Sequence, residues 1–350
     1  MPANHRWILR RRPRGRVGIG DLEYVAGDTR PLQDGDVLVR NIYLSIDPTY
    51  RLWMSEQSHY AAPVALGETM RGLVLGVVEA SRHPRFRPGD VAIPKTGYWE
   101  TYTVAAGTEL SHVPHRPGLP LSAYLSVLGS AGRAAYFGIR EVARPRPGET
   151  VVVTAAAGAA GSIAAQIARL EGARVIGIAG GPAKCRWLTD EVGLDGAIDY
   201  KNEDVGEALD RLCPQGIDVD FENVGGAIMS AIVPRMNDFG RIAICGLIST
   251  YNEDPAPAGP DHFRQVLMRR LTVRGFINGD YRDRFAEAYA AIEAWIAAGE
   301  LTWRTEELAG LENAVDAVGR LFAGEHDGKL LVRISEPPAE RRGDDPGAGP

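Results

Sequence analysis

The spacing of apolar and polar positions divides the chain in two. Up to about residue 128, apolar residues come in short pieces separated by turn formers: DVLVRNIYLSI, RGLVLGVVEA and, after the turn FRPGD, VAIP. Pro88, Gly89 and Asp90 punctuate the last two runs as a turn between strands requires. This pattern predicts a compact, twisted β lobe. From about residue 150 the pattern becomes an alternation. ETVVVTAA runs into SIAAQIARLEG, RVIGIAGG runs into PAKCRWLTDEVG, and the apolar runs IDVDFENV and RIAICGLI follow. Strands alternating with helical stretches of this length predict a parallel sheet in an α/β domain. Further on, 284–301 places Phe285, Ala288, Tyr289, Ile292 and Ile296 at helical spacing, with Gly299 near the end. A second helix (LENAVDAVGRLFAGE) and a last strand (KLLVRI) follow. The tail, 337–350, is rich in Pro, Gly and charge and is expected to be disordered. No internal repeat is present.

Composition narrows the classes. A chain of 350 residues with 45% hydrophobic and 24% charged residues can bury a large core in two lobes. A net charge of -6 argues against general binding of nucleic acid or anionic membranes. One basic run, HRWILRRRPRGR, breaks at Pro13 and is followed by DLEY, so it reads as a solvated strand edge. No apolar run reaches the ~18–20 residues of a bilayer span. The start lacks the apolar centre of a signal peptide, and a cytoplasmic location is expected. Cys185, Cys213 and Cys245 do not make a disulfide scaffold.

Candidate chemistry begins at AAAGAAGS (155–162), between a strand and a helix. Aligned to a dinucleotide-binding loop, it places Ala156, Gly158 and Gly161 where the pattern wants glycine. By itself the motif also fits an Ala/Gly-rich helix start. Its setting favours a cofactor loop: a strand precedes it, and the helix after it carries Ile163, Ile167 and Leu170 on one face. Alanine at the first position is tolerable if its φ stays negative. The end of the next strand then chooses the cofactor. An NAD enzyme places Asp or Glu there for the ribose hydroxyls, whereas IAGGPAKCR has no acid between Glu171 and Asp190. Gly180 and Gly181 leave room, and Lys184 and Arg186 bring positive charge for a 2′-phosphate. The plainer reading of Lys184 is a surface lysine; NADP is the expected cofactor.

These stretches, with NIYLSIDPTYR, GSAGRAAYFG, DFENVGG, FGRIAICGLISTYN and GEHDGKLLV, resemble the zinc-independent medium-chain dehydrogenases/reductases. The resemblance is to their prostaglandin reductase and alkenal double-bond reductase group, over nearly the whole chain. It implies an α/β fold: a Rossmann, doubly wound parallel sheet plus a mainly β, GroES-like catalytic lobe. The lobe would comprise 1–128 with 304–336, and the NADP-binding domain 129–303. A homodimer is implied, as is NADPH-dependent reduction of the C=C bond of α,β-unsaturated ketones or aldehydes. The residues agree on the metal: no cysteine precedes Cys185, and the seven histidines show no ligand spacing, His112 and His115 lying in a proline-broken turn. No zinc is expected.

By resemblance, Tyr251 is the catalytic donor to the developing oxyanion, the alternative being a wall packed on the cofactor. Gly158, Ala159, Ala160 and Gly161 would cradle the pyrophosphate, and Lys184 and Tyr200 would flank the adenosine phosphate. Asn223, Cys245, Gly246 and Ser249 would line the cleft, with Cys245 a small wall residue and no nucleophile. Phe276, Ile277 and Asn278 would hold the carboxamide end. The sequence also departs from the family's motifs. Thr49 stands where Tyr follows Asp-Pro, with Tyr50 one place later; Arg133 and Ala134 alter GLTAY; and His326 replaces an asparagine expected near the nicotinamide ribose. These five positions are the candidate substrate pocket, and Tyr50 or His326 is expected to replace a lost hydrogen bond. Quinone reduction and a non-catalytic NADPH sensor are the alternatives.

Overall fold

The computed structural model describes residues 2–56, 60–114, 116, 118–253, 259 and 261–338. His59, His115 and most of the expected disordered tail (339–350) lie outside the described residues. In the first lobe, β1 (Ala3–Leu9) and β2 (Leu22–Asp28) form an antiparallel ribbon. β3 (Asp36–Ser45) leads to the short helix α1 (Thr49–Trp53), then β4 (Arg71–Gly72) and β5 (Val74–Ser81). β6 (Val91–Pro94), β7 (Gly97–Tyr98), β8 (Tyr102–Ala106) and β9 (Leu110–His112) complete it. β3 pairs antiparallel with both β5 and β8, and all but one of its residues are buried. It is the covered spine of the lobe.

The second half follows the strand–helix alternation. After α2 (Ser130–Phe137) come β10 (Thr150–Thr154), α3 (Ala159–Leu170), β11 (Arg174–Ala179) and α4 (Pro182–Arg186). Then follow β12 (Gly196–Asp199), α5 (Val205–Leu212), β13 (Ile217–Glu222) and α6 (Gly226–Ile232). β14 (Met236–Ile244), α7 (Arg264–Met268), β15 (Thr272–Gly275) and α8 (Phe285–Ala297) close the unit. The strands lie parallel in the order β12-β11-β10-β13-β14-β15. This is a doubly wound sheet whose strand order reverses at β10, so its ligand crevice lies beyond the C-terminal ends of β10 and β13. Val151, Val152 and Val153 are all fully buried, as a strand covered on both faces requires. Gly299, at φ 70, follows the end of α8 and takes the left-handed turn there.

The chain then returns to the first lobe. β16 (Thr305–Ala309), α9 (Ala314–Ala323) and β17 (Lys329–Arg333) form a parallel crossover, and β17 pairs with β3. One expectation changes in part: His5–Leu9 of the basic run lie in β1 of the two-stranded ribbon, but the arginines after Leu9 do not form a strand edge. β1 stops at Leu9, and the backbone N–H groups of Arg10 and Arg11 both donate to the Asp21 carbonyl. Pro13, without an N–H, cannot extend the ladder, so residues 10–16 form a loop.

Candidate active site

The loop after β10 meets the demands of close packing in an unexpected way. Ala156 stays out of the left-handed region, as its alanine requires, but Ala155 enters it at φ 48. That conformation costs a residue with a Cβ about 1–2 kcal/mol. The turn lets the Gly158 N–H donate to the Ala155 carbonyl at 2.9 Å. A Cβ on Gly161 would stand 2.3 Å from that same carbonyl oxygen, so only glycine fits there. Gly158 caps α3 without a side-chain bond, which leaves the first-turn N–H groups of Ala159, Ala160 and Gly161 without side-chain partners. These groups and the positive end of the helix could hold an anion at the crevice. Gly158 also bridges to Gly328, so the final loop of the first lobe closes over this helix start. Ala155→Gly is expected to raise stability by about 1 kcal/mol in a denaturant titration, because it relieves the left-handed strain.

Beyond β11, a second group gathers around Gly180. A Cβ there would touch both the Tyr200 ring and Lys201 at 2.9 Å. Lys184 Nζ donates to the Gly324 carbonyl at 2.8 Å, and burial lowers its pKa. Asp199, an acid from the neighbouring strand, faces this corner, but it accepts from the N–H groups of Gly181 and Lys201 and from Asn202. Its oxygens therefore serve the protein's own turn. His326 lies at the same end: burial, then the charges of Lys184 and Lys329, push its pKa down to about 4. It is neutral at pH 7, and its buried Nδ1 has no hydrogen-bond partner among the described residues.

A third group stands at the ends of β13 and β14. Glu222 is fully buried, and one carboxylate oxygen accepts from Thr154 Oγ1 at 2.6 Å, the Val224 N–H at 2.6 Å and the Gly225 N–H at 3.0 Å. This fixes the loop 223–225, while Asn223 Nδ2 donates to the Thr154 carbonyl at 2.7 Å. The loop in turn receives the next segment: the Ile248 N–H donates to Asn223, and the Ser249 N–H and Oγ both donate to Val224. Tyr251 is thereby held so that its hydroxyl accepts the Leu247 N–H at 3.1 Å. Its own proton remains free to donate. Burial raises its pKa above the usual phenol value, with smaller upward contributions from Cys245 and Tyr60. Burial pushes the Cys245 thiol up to about 12, which keeps it protonated and works against a nucleophilic role.

In the other lobe the hydroxyls of Thr49 and Tyr60 share a hydrogen bond, and Tyr60 stands near enough to Tyr251 to contribute to its raised pKa. The sequence reading assigned no role to Tyr60, Glu222 or Thr154. Glu222 lay inside the quoted DFENVGG, but the three bonds it accepts were invisible there. Phe276 packs 6.4 Å from Phe221, and Asn278 Nδ2 binds Ser130 Oγ at 2.7 Å, tying that segment to the start of α2. Ile277 is exposed, and its N–H donates to Asp280.

Two expected pocket residues point elsewhere. Tyr50 lies wholly in the core against Trp53 and Trp99, its hydroxyl donating to the Ser45 carbonyl and accepting the Leu73 N–H. It has no hydrogen left to offer a substrate. Arg133 stacks 4.4 Å over Phe285 and binds the Tyr289 hydroxyl, which directs it into the α2–α8 interface. Its neighbour Ala134 packs on the main apolar core.

Among the described residues, no group of three or more His, Cys, Asp or Glu could hold a metal ion, and no helix is long and apolar enough to cross a membrane. Comparison with known proteins adds the following. Residues 5–113 match a family described as the N-terminal domain of oxidoreductase, and 159–294 one described as zinc-binding dehydrogenase. The NADPH-dependent curcumin reductase of Escherichia coli is 37% identical over 95% of this chain and 97% of its own. The NADP-dependent 2-alkenal reductase of Nicotiana tabacum is 37% identical over 87% and 89%. The crystal structure of CurA from Vibrio vulnificus in complex with NADPH superposes with a TM-score of 0.90 at 39% identity, over 95% and 100%.

Proposed function

The chain belongs to the zinc-independent, NADP-dependent reductases of the medium-chain dehydrogenase/reductase superfamily, and from that premise we propose that it reduces the C=C bond of α,β-unsaturated ketones and aldehydes. NADPH is the cofactor, and when bound it supplies a hydride to the substrate's β-carbon. The residues fit it. The uncapped start of α3 suits a pyrophosphate, and the turn at Gly180 and Gly181, whose neighbouring acid Asp199 is taken up by the protein's own N–H groups, suits a 2′-phosphate with Lys184 and Tyr200 beside it. The observation that carries the reading is the Tyr251 hydroxyl, which accepts from Leu247 and so keeps its own proton for a substrate oxygen. As the β-carbon gains the hydride, the π pair of the C=C bond shifts to join the α-carbon and the carbonyl carbon, the C=O π pair moves onto the oxygen, and a donor placed there stabilises the enolate. A proton then reaches the α-carbon and completes the saturated ketone. Phe276, Cys245 and Gly246 supply the apolar and small surfaces beside the reacting group.

The test is NADPH consumption across a panel of enones, quinones and saturated alcohols, with products identified. Saturated ketone from an enone supports the reading. Turnover of quinones alone would replace it with quinone reduction, and tight NADPH binding without oxidation on any acceptor would make the protein a sensor. Lys184→Ala is expected to weaken NADPH binding about 10–100-fold while leaving NADH binding unchanged, as the loss of one charge-assisted contact predicts; fluorescence titration of both nucleotides checks it. We also propose a homodimer through β15, an open sheet edge with Thr272, Arg274 and Gly275 exposed and with Leu267 and Met268 exposed on the preceding helix. Light scattering should report about twice 37.8 kDa.

A further inference from the structure

The arginine run at residues 10–16 takes no part in the chemistry above, yet it builds a site. Arg11, Arg12, Arg14 and Arg16, with Gly18 and Asp21, line an open groove of about 560 Å³. Its charges do not cancel. Arg11 Nε binds Asp21 at 2.8 Å, and Glu56 stands 4.0 Å from Arg12 Nε, beyond hydrogen-bond reach. Arg12 Nη1 donates to the Val64 carbonyl at 2.6 Å and to the Met54 carbonyl at 3.3 Å, while its buried Nε has no hydrogen-bond partner among the described residues. Arg14 and Arg16 are exposed, and among the described residues neither has an ion pair or side-chain hydrogen bond. Among the described residues, four guanidinium groups line the groove with two carboxylates beside them, on a chain whose net charge is -6.

The groove's position gives it meaning. Arg51, buried on α1 beside Thr49, donates through Nε to the Gly15 carbonyl at 3.0 Å and through Nη2 to the Pro13 carbonyl at 3.2 Å. A Cβ on Gly15 would lie 3.9 Å from the carbonyl of Asn252, the residue after Tyr251. Arg51 therefore ties the arginine loop to α1, the helix that begins at Thr49, and Gly15 lies beside the segment that carries Tyr251. The uncapped start of α3 and the Lys184 corner, which suit the cofactor's phosphates, are built from other elements.

We propose that this groove binds an anionic group, a carboxylate or phosphate ester, carried by the substrate away from its double bond; the proposal rests on reading the Tyr251 cleft as the substrate site. Guanidinium forks match both groups in bidentate geometry, and clustered like charges in a concavity concentrate an anion at its mouth. A nucleic acid would need a longer basic track than one loop supplies.

The experiment compares kcat/KM for enones of equal length ending in a neutral group, a carboxylate or a phosphate ester, at low and high salt. The acidic enones are expected to be favoured about tenfold, mainly through KM. The carboxylate and phosphate arms identify the anion. In Arg14→Ala/Arg16→Ala the preference should vanish, as it should weaken at high salt, with NADPH affinity unmoved. Arg14→Glu/Arg16→Glu should invert it. Equal kcat/KM for neutral and acidic enones, or a preference that survives both double variants, overturns the proposal. Calorimetric binding of the saturated carboxylate keeps the two readings separate: binding lost in the double variant upholds the groove even where no enone is turned over.

Discussion

Tyr251→Phe is expected to lower kcat on an enone by about 10²–10³, the loss seen when one oxyanion donor is removed. The substitution deletes only a hydroxyl, so NADPH affinity should stay within about threefold. Two groups notice the deletion. The developing enolate oxygen loses a donor, which slows the chemical step, and the Leu247 N–H loses its acceptor, which loosens the segment 247–251. The second effect alone would appear in cofactor affinity and thermal stability, so measuring all three separates them. A phenol that merely packs on the cofactor would leave kcat nearly unchanged in the phenylalanine variant. The pH profile gives a further check. Burial holds the Tyr251 proton above the usual phenol range, so the rate it supports should be level to at least about pH 9.

What the sequence made legible followed from local patterns. β10, α3 and β11 could be read because strand, turn and amphipathic helix are contiguous there, and each residue type answers to a neighbour a few positions away. Even so, the strain sits at Ala155 and not at Ala156, because the left-handed turn falls one residue before the glycine pattern begins. Long-range partners were not legible. Nothing local marks the 3.1 Å bond from Leu247 to the Tyr251 hydroxyl, nor that Glu222 holds three donors of the same crevice. Thr49 and Tyr50 are adjacent, yet the helix turns one toward Tyr60 and buries the other against Trp99. Two neighbours on one turn point about 100° apart, and only packing decides which faces the cleft. The arginine run shows the same limit, since its charge could be counted but its latch to Arg51 could not be seen.

Asp220→Val is expected to stabilise the protein by about 1–3 kcal/mol, most strongly at neutral and higher pH. Asp220 is fully buried on β13, and among the described residues neither carboxyl oxygen has a hydrogen-bond partner. On the same strand, Val219 and Phe221 belong to the larger core cluster, while Ile217 belongs to the cluster that includes Val152, Ile176 and Ile242. Burial, with the nearby Glu222, raises the Asp220 pKa well above its ordinary value. The native state therefore keeps this proton to a higher pH than the unfolded chain does. Between those two pKa values the folded form holds more protons, so its stability falls as pH rises, with a limiting slope of about 1.4 kcal/mol per pH unit for one proton. Below about pH 4 both states are protonated, and the charge penalty is absent. Glu222 is raised in the same direction and remains in the variant, so the difference between wild type and variant reports Asp220 together with its coupling to Glu222. Asp220→Asn separates charge from packing: it should remove the pH-dependent part but keep an unsatisfied polar group, so its gain should be smaller than that of valine. Chemical denaturation of all three proteins from pH 4 to 9 measures this. A difference that does not grow with pH would mean that Asp220 finds a proton donor or an ionised partner in the folded protein.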